Sequence, residues 1–180
     1  MVIALEGLSC AGKTTLLNNL CKINNNIRFV PEFVLEVPKK IDTEFCMEND
    51  VAKSQEAVRL SSKGVVIQDR SFISTIVYSS TQDTALHNRV KDYYQSSLKE
   101  GTLQLPDLII YLSVRPEEAI ARAKKIGWYS QKYAWYTHTV QLSEEYEKQL
   151  KHHESLVKVI RVDAEQKPAE ILNKVIGLFK

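Results

Sequence analysis

Short apolar runs alternate along this chain with segments whose apolar residues recur at helical spacing. Val2-Ile3-Ala4-Leu5 is the first strand-like run, and 27–30, 64–68, 107–114 and 156–162 are four more. After the first run, Leu16, Leu17, Leu20 and Ile23 mark one face of a helix. Residues 48–63, 71–80, 86–100, 117–126 and 140–153 read as helices by the same period. A last helix over 168–179 carries a stripe at Ile171, Leu172, Val175, Ile176 and Phe179, with Pro168 in its first turn. Strand and helix in alternation predict an α/β fold: a parallel sheet, right-handed crossovers and helices on both faces. No repeat or low-complexity linker divides the 180 residues, a length that buries one core, so residues 1–180 are expected to form a single domain. Ligands in such sheets sit beyond the carboxyl ends of the strands.

Composition narrows the field without deciding it. With 44% hydrophobic and 26% charged residues, the chain reads as an ordinary soluble domain, expected in the cytoplasm. Its net charge of +2 and the absence of any dense basic run argue against a nucleic-acid polymer as partner. Glu6 cuts the first apolar run short, so no signal peptide is expected, and no stretch is long enough to span a membrane. Cys10, Cys21 and Cys46 lack metal-ligand spacing and read as reduced thiols.

The chemistry lies at the predicted strand ends. Residues 7–14, Gly7-Leu8-Ser9-Cys10-Ala11-Gly12-Lys13-Thr14, match G-x-x-x-x-G-K-[ST] between a strand and a helix, the context that motif requires. The glycines let backbone N–H groups curl around phosphates, and the helix N-terminus adds its positive dipole end. Gly7, Ser9, Cys10, Ala11, Gly12, Lys13, Thr14 and Thr15 are therefore the expected nucleotide contacts. Lys13 reaches the outer phosphates, and the Thr14 hydroxyl is a ligand for Mg²⁺. Cys10 serves as a small filler of the loop.

The second strand ends in Val30-Pro31-Glu32-Phe33, and the third in Gln68-Asp69-Arg70-Ser71, with Ser71 placed to cap the next helix. An acid at either end, Glu32 or Asp69, is suited to hold Mg²⁺ or to accept a proton from a hydroxyl acceptor. Arg70 is suited to clamp phosphate oxygens. Arg122, Lys124 and Lys125 lead into an aromatic and polar segment, so residues 123–138 read as a lid over the nucleotide that also offers Lys132. Trp128, Trp135 and Tyr136 in that segment are expected to pack rather than to stack on a base. Phe33, Phe45, Phe72 and Tyr78 are candidates to line an acceptor pocket.

With these motifs in order, the chain resembles the thymidylate kinase and deoxynucleoside kinase superfamily of P-loop kinases. The resemblance rests on Ile3–Leu16, Pro31-Glu32, Asp69-Arg70-Ser71, the run from Pro106 to Arg122, and Val162–Pro168. It implies the three-layer P-loop fold with five parallel strands in the order 2-3-1-4-5. It also implies transfer of the γ-phosphoryl group of ATP, with Mg²⁺, to a nucleoside or nucleoside monophosphate. Lys13, Glu32, Asp69 and Arg70 would be catalytic, Thr14 and Asp69 would hold the metal, and Arg122 would contact ATP. Homodimers are frequent in the superfamily, and the helices over 48–63 or 86–100 are the candidate interface. Two departures stand out: Pro31 and Phe33 flank Glu32 where thymidylate kinases carry an arginine, and the lid lacks a dense arginine array. Nicotinamide riboside or another small metabolite stays open as acceptor, as does a P-loop ATPase or regulatory module. No Asn-Lys-x-Asp motif supports a GTPase.

Overall fold

The computed structural model describes residues 1–23, 26–128 and 134–179. Its strands are β1 (Val2–Glu6), β2 (Arg28–Val30), β3 (Val66–Asp69), β4 (Leu108–Ser113) and β5 (Lys158–Asp163). All pair in parallel in the order β2-β3-β1-β4-β5, as expected. The helices are α1 (Lys13–Ile23), α2 (Thr43–Ser61), α3 (Phe72–Ser79), α4 (Thr84–Glu100), α5 (Pro116–Lys125), α6 (Thr139–His153) and α7 (Pro168–Ile176). Helix α1 packs against α7, while α2, α4 and α6 gather around α3. Parallel strands covered by helices read as continuous apolar runs, and β1 and the first five residues of β4 are buried accordingly.

Local chemistry sets the element ends. Helix α2 starts five residues before the apolar pattern does, because the Asp42 carboxylate accepts the Phe45 N–H at 2.9 Å and caps it. Asp83 caps α4 in the same way, through the Leu86 N–H at 2.8 Å, and Gly101 closes that helix in the left-handed region at φ 73°. Helix α7 stops at Ile176, and a 3₁₀ turn over Gly177–Phe179 takes up the rest of the expected helix.

The crossover from β1 reaches β2 on one side of the sheet, whereas β3 leads back across β1 to β4 on the other. The reversal opens a crevice at the carboxyl ends of the central strands. Both edges carry charge, Arg28 on β2 and Lys158 and Arg161 on β5, which discourages further strand pairing. Among the described residues, no helix is long and apolar enough to cross a membrane.

Candidate active site

Strand β1 delivers its last residue, Glu6, and then turns into the phosphate loop. At Gly7 the backbone lies at φ 140°, and a Cβ there would come within 2.6 Å of the Leu112 carbonyl on β4. Only glycine fits that approach. Cys10 adopts a left-handed φ of 63°, and the loop closes through the Ala11 N–H on the Leu8 carbonyl at 3.2 Å. Helix α1 begins at Lys13, leaving Thr14 and Thr15 exposed in its first turn. The Lys13 side chain folds back into the loop, where Nζ donates to the carbonyls of Gly7 (2.9 Å) and Leu8 (3.0 Å). Burial, and after it the Arg70 charge, lower its pKa to about 7, against the pull of Asp69, Glu6 and Glu32. Burial raises the pKa of the half-buried Cys10 thiol, against the pull of Lys13 and Arg122.

The ends of β2 and β3 meet at this loop. Arg70 Nε pairs with Glu32 Oε1 at 3.0 Å, and the Glu32 side chain keeps 45% of its surface exposed. Arg70 itself has a left-handed φ of 62°, uncommon for a residue with a side chain. Its guanidinium donates to the Gly7 carbonyl (3.3 Å), Ser74 Oγ (3.1 Å) and the Tyr146 hydroxyl (3.1 Å), and lies 5.4 Å over the Tyr78 ring. Ser71 caps α3 as its sequence position predicts. The structure thus brings Lys13, Glu32, Asp69 and Arg70 together at one edge of the sheet.

Asp69 Oδ1 is buried with no hydrogen-bond partner among the described residues. A buried acceptor left without a donor is costly, and a cation or its bound water would satisfy it. Across the described residues no cluster of three His, Cys, Asp or Glu side chains could hold a metal. One carboxylate, a threonine hydroxyl and substrate phosphates are the donor set Mg²⁺ commonly takes in kinases. Asp69 and Thr14 therefore fit that ion.

Arg122 stands on the opposite flank of the loop. Its Nε pairs with Glu118 Oε1 (2.7 Å), and its terminal nitrogens donate to the carbonyls of Ala164 (2.9 Å) and Cys10 (3.5 Å). Lys124 and Lys125 are exposed, and Lys132 lies outside the described residues. Tyr136 is buried and donates to the Trp128 carbonyl at 2.6 Å, whereas the Trp128 ring, expected to pack, is 62% exposed. The chain leaves α5 through Gly127 at φ 73°, and Trp128 follows beyond the end of that helix.

Beside Arg70 opens a cavity of about 890 Å³ between α2, α3 and α4. Of the four aromatic candidates, Phe33 and Tyr78 line it. Phe45 stacks on Phe33 at 5.7 Å between ring centroids, and Phe72 is core, packed on Tyr94 and His153. The inner wall comes from α2. Asn49 donates to the Glu32 carbonyl at 2.8 Å and accepts the Val34 and Leu35 N–H groups. Lys53 and Asp50 form a buried ion pair at 2.9 Å, and Asp50 also accepts from Thr75 (2.6 Å) and Tyr94 (2.7 Å).

Sequence reasoning passed over these α2 residues, since a lysine three positions after an aspartate looks like any solvated helical pair. It also passed over Glu6. This carboxylate is fully buried and accepts the Ser71 N–H (2.7 Å), Ser71 Oγ (2.6 Å) and Ser74 Oγ (2.6 Å). Burial raises its pKa, opposed by the Ser71 and Ser74 hydrogen bonds and the Arg70 charge. An acid ending an all-apolar central strand was the available signal.

A family model described as thymidylate kinase matches residues 43–175, most of the chain beyond the phosphate loop. Solved structures of deoxyadenosine kinase from M. mycoides are similar over 99% of this chain and 98% of theirs. The form with bound dATP has a TM-score of 0.71 at 22% identity. The form with bound dCTP gives 0.69 at 20%, and the form with the product dCMP and a flexible dCDP gives 0.70 at 18%. At these identities the likeness carries the fold. A search of curated proteins finds no match. The phosphate loop, the converging strand ends and the family match together place this chain in the thymidylate kinase family, as a phosphotransferase acting on nucleosides or nucleotides.

Proposed function

We propose that the protein phosphorylates a nucleoside, moving the γ-phosphoryl group of ATP onto a sugar hydroxyl with Mg²⁺ present. The observation that carries this choice is the charge of the cavity. Glu32, Asp42, Glu44, Asp50 and Asp83 line it against Lys40, Lys53, Arg70 and Arg89. Three of those cations are already paired: Lys53 with Asp50, Arg70 with Glu32, and Arg89 with Glu44. A neutral nucleoside suits such a lining, whereas a monophosphate dianion calls for spare positive charge. The proline and phenylalanine beside Glu32 point the same way, because no arginine stands there for an acceptor phosphate.

In this reading the loop amides and Lys13 hold the ATP phosphates, with Arg122 at the nucleotide's flank. Glu32 accepts the proton of the attacking hydroxyl, and Arg70 steadies the negative charge that develops on the transferring group. Thr14 and Asp69 would hold Mg²⁺, which would supply positive charge to offset that of the phosphates. Residues 123–138, of which 129–133 lie outside the described residues, are read as the lid, and Arg122 just before them touches the Cys10 carbonyl. A hydroxyl acceptor needs the base, and a monophosphate does not.

The test is an acceptor screen with ATP and Mg²⁺ against nucleosides, nucleoside monophosphates and nicotinamide riboside. Nucleosides should give kcat/KM about tenfold or more above monophosphates, a discrimination of roughly 1.4 kcal/mol in transition-state binding. A preference for monophosphates overturns the acceptor assignment. ADP release indifferent to every acceptor returns the protein to the ATPase class.

A further inference from the structure

Arg70 takes part in the proposed transfer, and its orientation depends in part on residues far from it in sequence. Its left-handed backbone does not by itself aim the guanidinium at Glu32. The Gly7 carbonyl (3.3 Å) and Ser74 Oγ (3.1 Å) each accept from it directly, and a directed chain of hydrogen bonds adds a third anchor. Arg70 donates to the Tyr146 hydroxyl at 3.1 Å; that hydroxyl lies 2.8 Å from Ser74 Oγ, and Ser74 donates to Glu6 Oε2 at 2.6 Å. The Tyr146 hydroxyl is also 3.4 Å from the same carboxylate oxygen. Guanidinium groups only donate and a carboxylate only accepts, so the two hydroxyls between them are polarised in one direction. Glu6 is in turn fixed by the Ser71 N–H and hydroxyl. Glu6, Ser74 and Tyr146 are all buried, and each comes from a different element: β1, α3 and α6.

We infer that Tyr146 is a positioning residue for phosphoryl transfer: its hydroxyl, backed by Ser74 and Glu6, holds the Arg70 guanidinium against Glu32. The inference rests on the reading of Glu32 and Arg70 as the acceptor machinery. Helix α6 thus has a task at the site besides packing, since its seating on α3 sets where the guanidinium lies. The tyrosine ring has a separate job, stacked on Tyr111 with centroids 5.4 Å apart. Tyr146→Phe removes the hydroxyl and keeps that stack.

The experiment measures kcat, the KM for ATP and the melting temperature of Tyr146→Phe, Arg70→Lys and the double variant, using the best acceptor of the wild type. Tyr146→Phe should lower kcat about tenfold with the ATP KM within about twofold of wild type, as expected for misplacement of a group at the reacting centre. Arg70→Lys should lose about a hundredfold, and adding Tyr146→Phe to it should cost no further activity beyond about twofold. Losses that multiply in the double variant, or a single-variant kcat within about twofold of wild type, overturn the positioning role. Near-normal kcat in Arg70→Lys overturns instead the reading of Arg70 on which the inference rests. A tyrosine that only stabilises the fold would lower the melting temperature and leave the kcat of the folded enzyme unchanged in both backgrounds.

Discussion

The Lys13 ammonium is held among backbone carbonyls at the spot where nucleotide phosphates would lie, and burial brings its pKa to about 7. At pH 8 the nucleotide-free protein therefore carries this lysine mostly neutral. An anionic phosphate beside it favours the ammonium form, so ATP binding at pH 8 should draw most of a proton from solution, and at pH 6 very little. Calorimetry in two buffers of different ionisation enthalpy reads this number directly; binding at pH 8 with no proton uptake would refute the lowered pKa. In the proposed reaction Glu32 is the other side chain to test. Glu32→Gln should lower kcat by roughly two orders of magnitude or more while leaving ATP affinity near normal, and a near-normal rate would remove its role as base. Lys13 was legible from its motif and Glu32 from the strand end it follows. The Arg70 pairing that steers Glu32 was not, because those residues are distant in the chain and adjacent only across the sheet edge.

At the scale of elements, α2 connects the site to the scaffold. Asn49 and Lys53 both donate to the Glu32 carbonyl, at 2.8 and 3.3 Å, and Lys53 also reaches the Asp69 carbonyl at 3.4 Å. One helix therefore ties down the ends of β2 and β3, where Glu32 and Asp69 stand. Lys53→Met removes one member of a buried pair and strands the Asp50 carboxylate, so it should cost about 3–5 kcal/mol of folding stability. The double variant Asp50→Asn/Lys53→Met should recover at least half of that loss, because no charge is left unpaired. Urea unfolding of the two proteins checks this, and a double variant no more stable than the single one would show that the buried charge is not the cause. The apolar period located this helix but not its start, which a side-chain cap decided. It also gave no sign that a charged stripe of α2 faces inward, since period reports where apolar residues sit and not which polar ones have partners.

For the molecule as a whole, the titration of buried groups ties stability to pH. His153 is buried on Phe72, its Nδ1–H donating to the Gln149 carbonyl at 2.7 Å, and burial lowers its pKa below the usual 6.5. Burial also lowers the pKa of His87. The unfolded chain then takes up protons near pH 6.5 while the folded one resists until lower pH. The stability these histidines contribute is complete above that range and lost as pH falls through it. Glu6 acts in the opposite sense, because its raised pKa lets the folded state bind a proton first. The histidine contribution should lower the melting temperature between pH 7.5 and 5.5, and His153→Gln should flatten that dependence. An unchanged slope in that variant would exclude His153 as a source.

The alternation of strand and helix, the phosphate loop and the residues that end β2 and β3 were all determined by the sequence alone. Backbone hydrogen bonding and side-chain period are local, and a loop motif carries its own geometry. What the tertiary structure decided is which polar side chains are buried and by whom they are satisfied. Glu6 meets Tyr146 across 140 positions of chain, and Asp50 meets Tyr94 across 44. A buried charge is tolerated only where such partners converge, and that convergence comes from how the helices are seated on the sheet rather than from any local pattern.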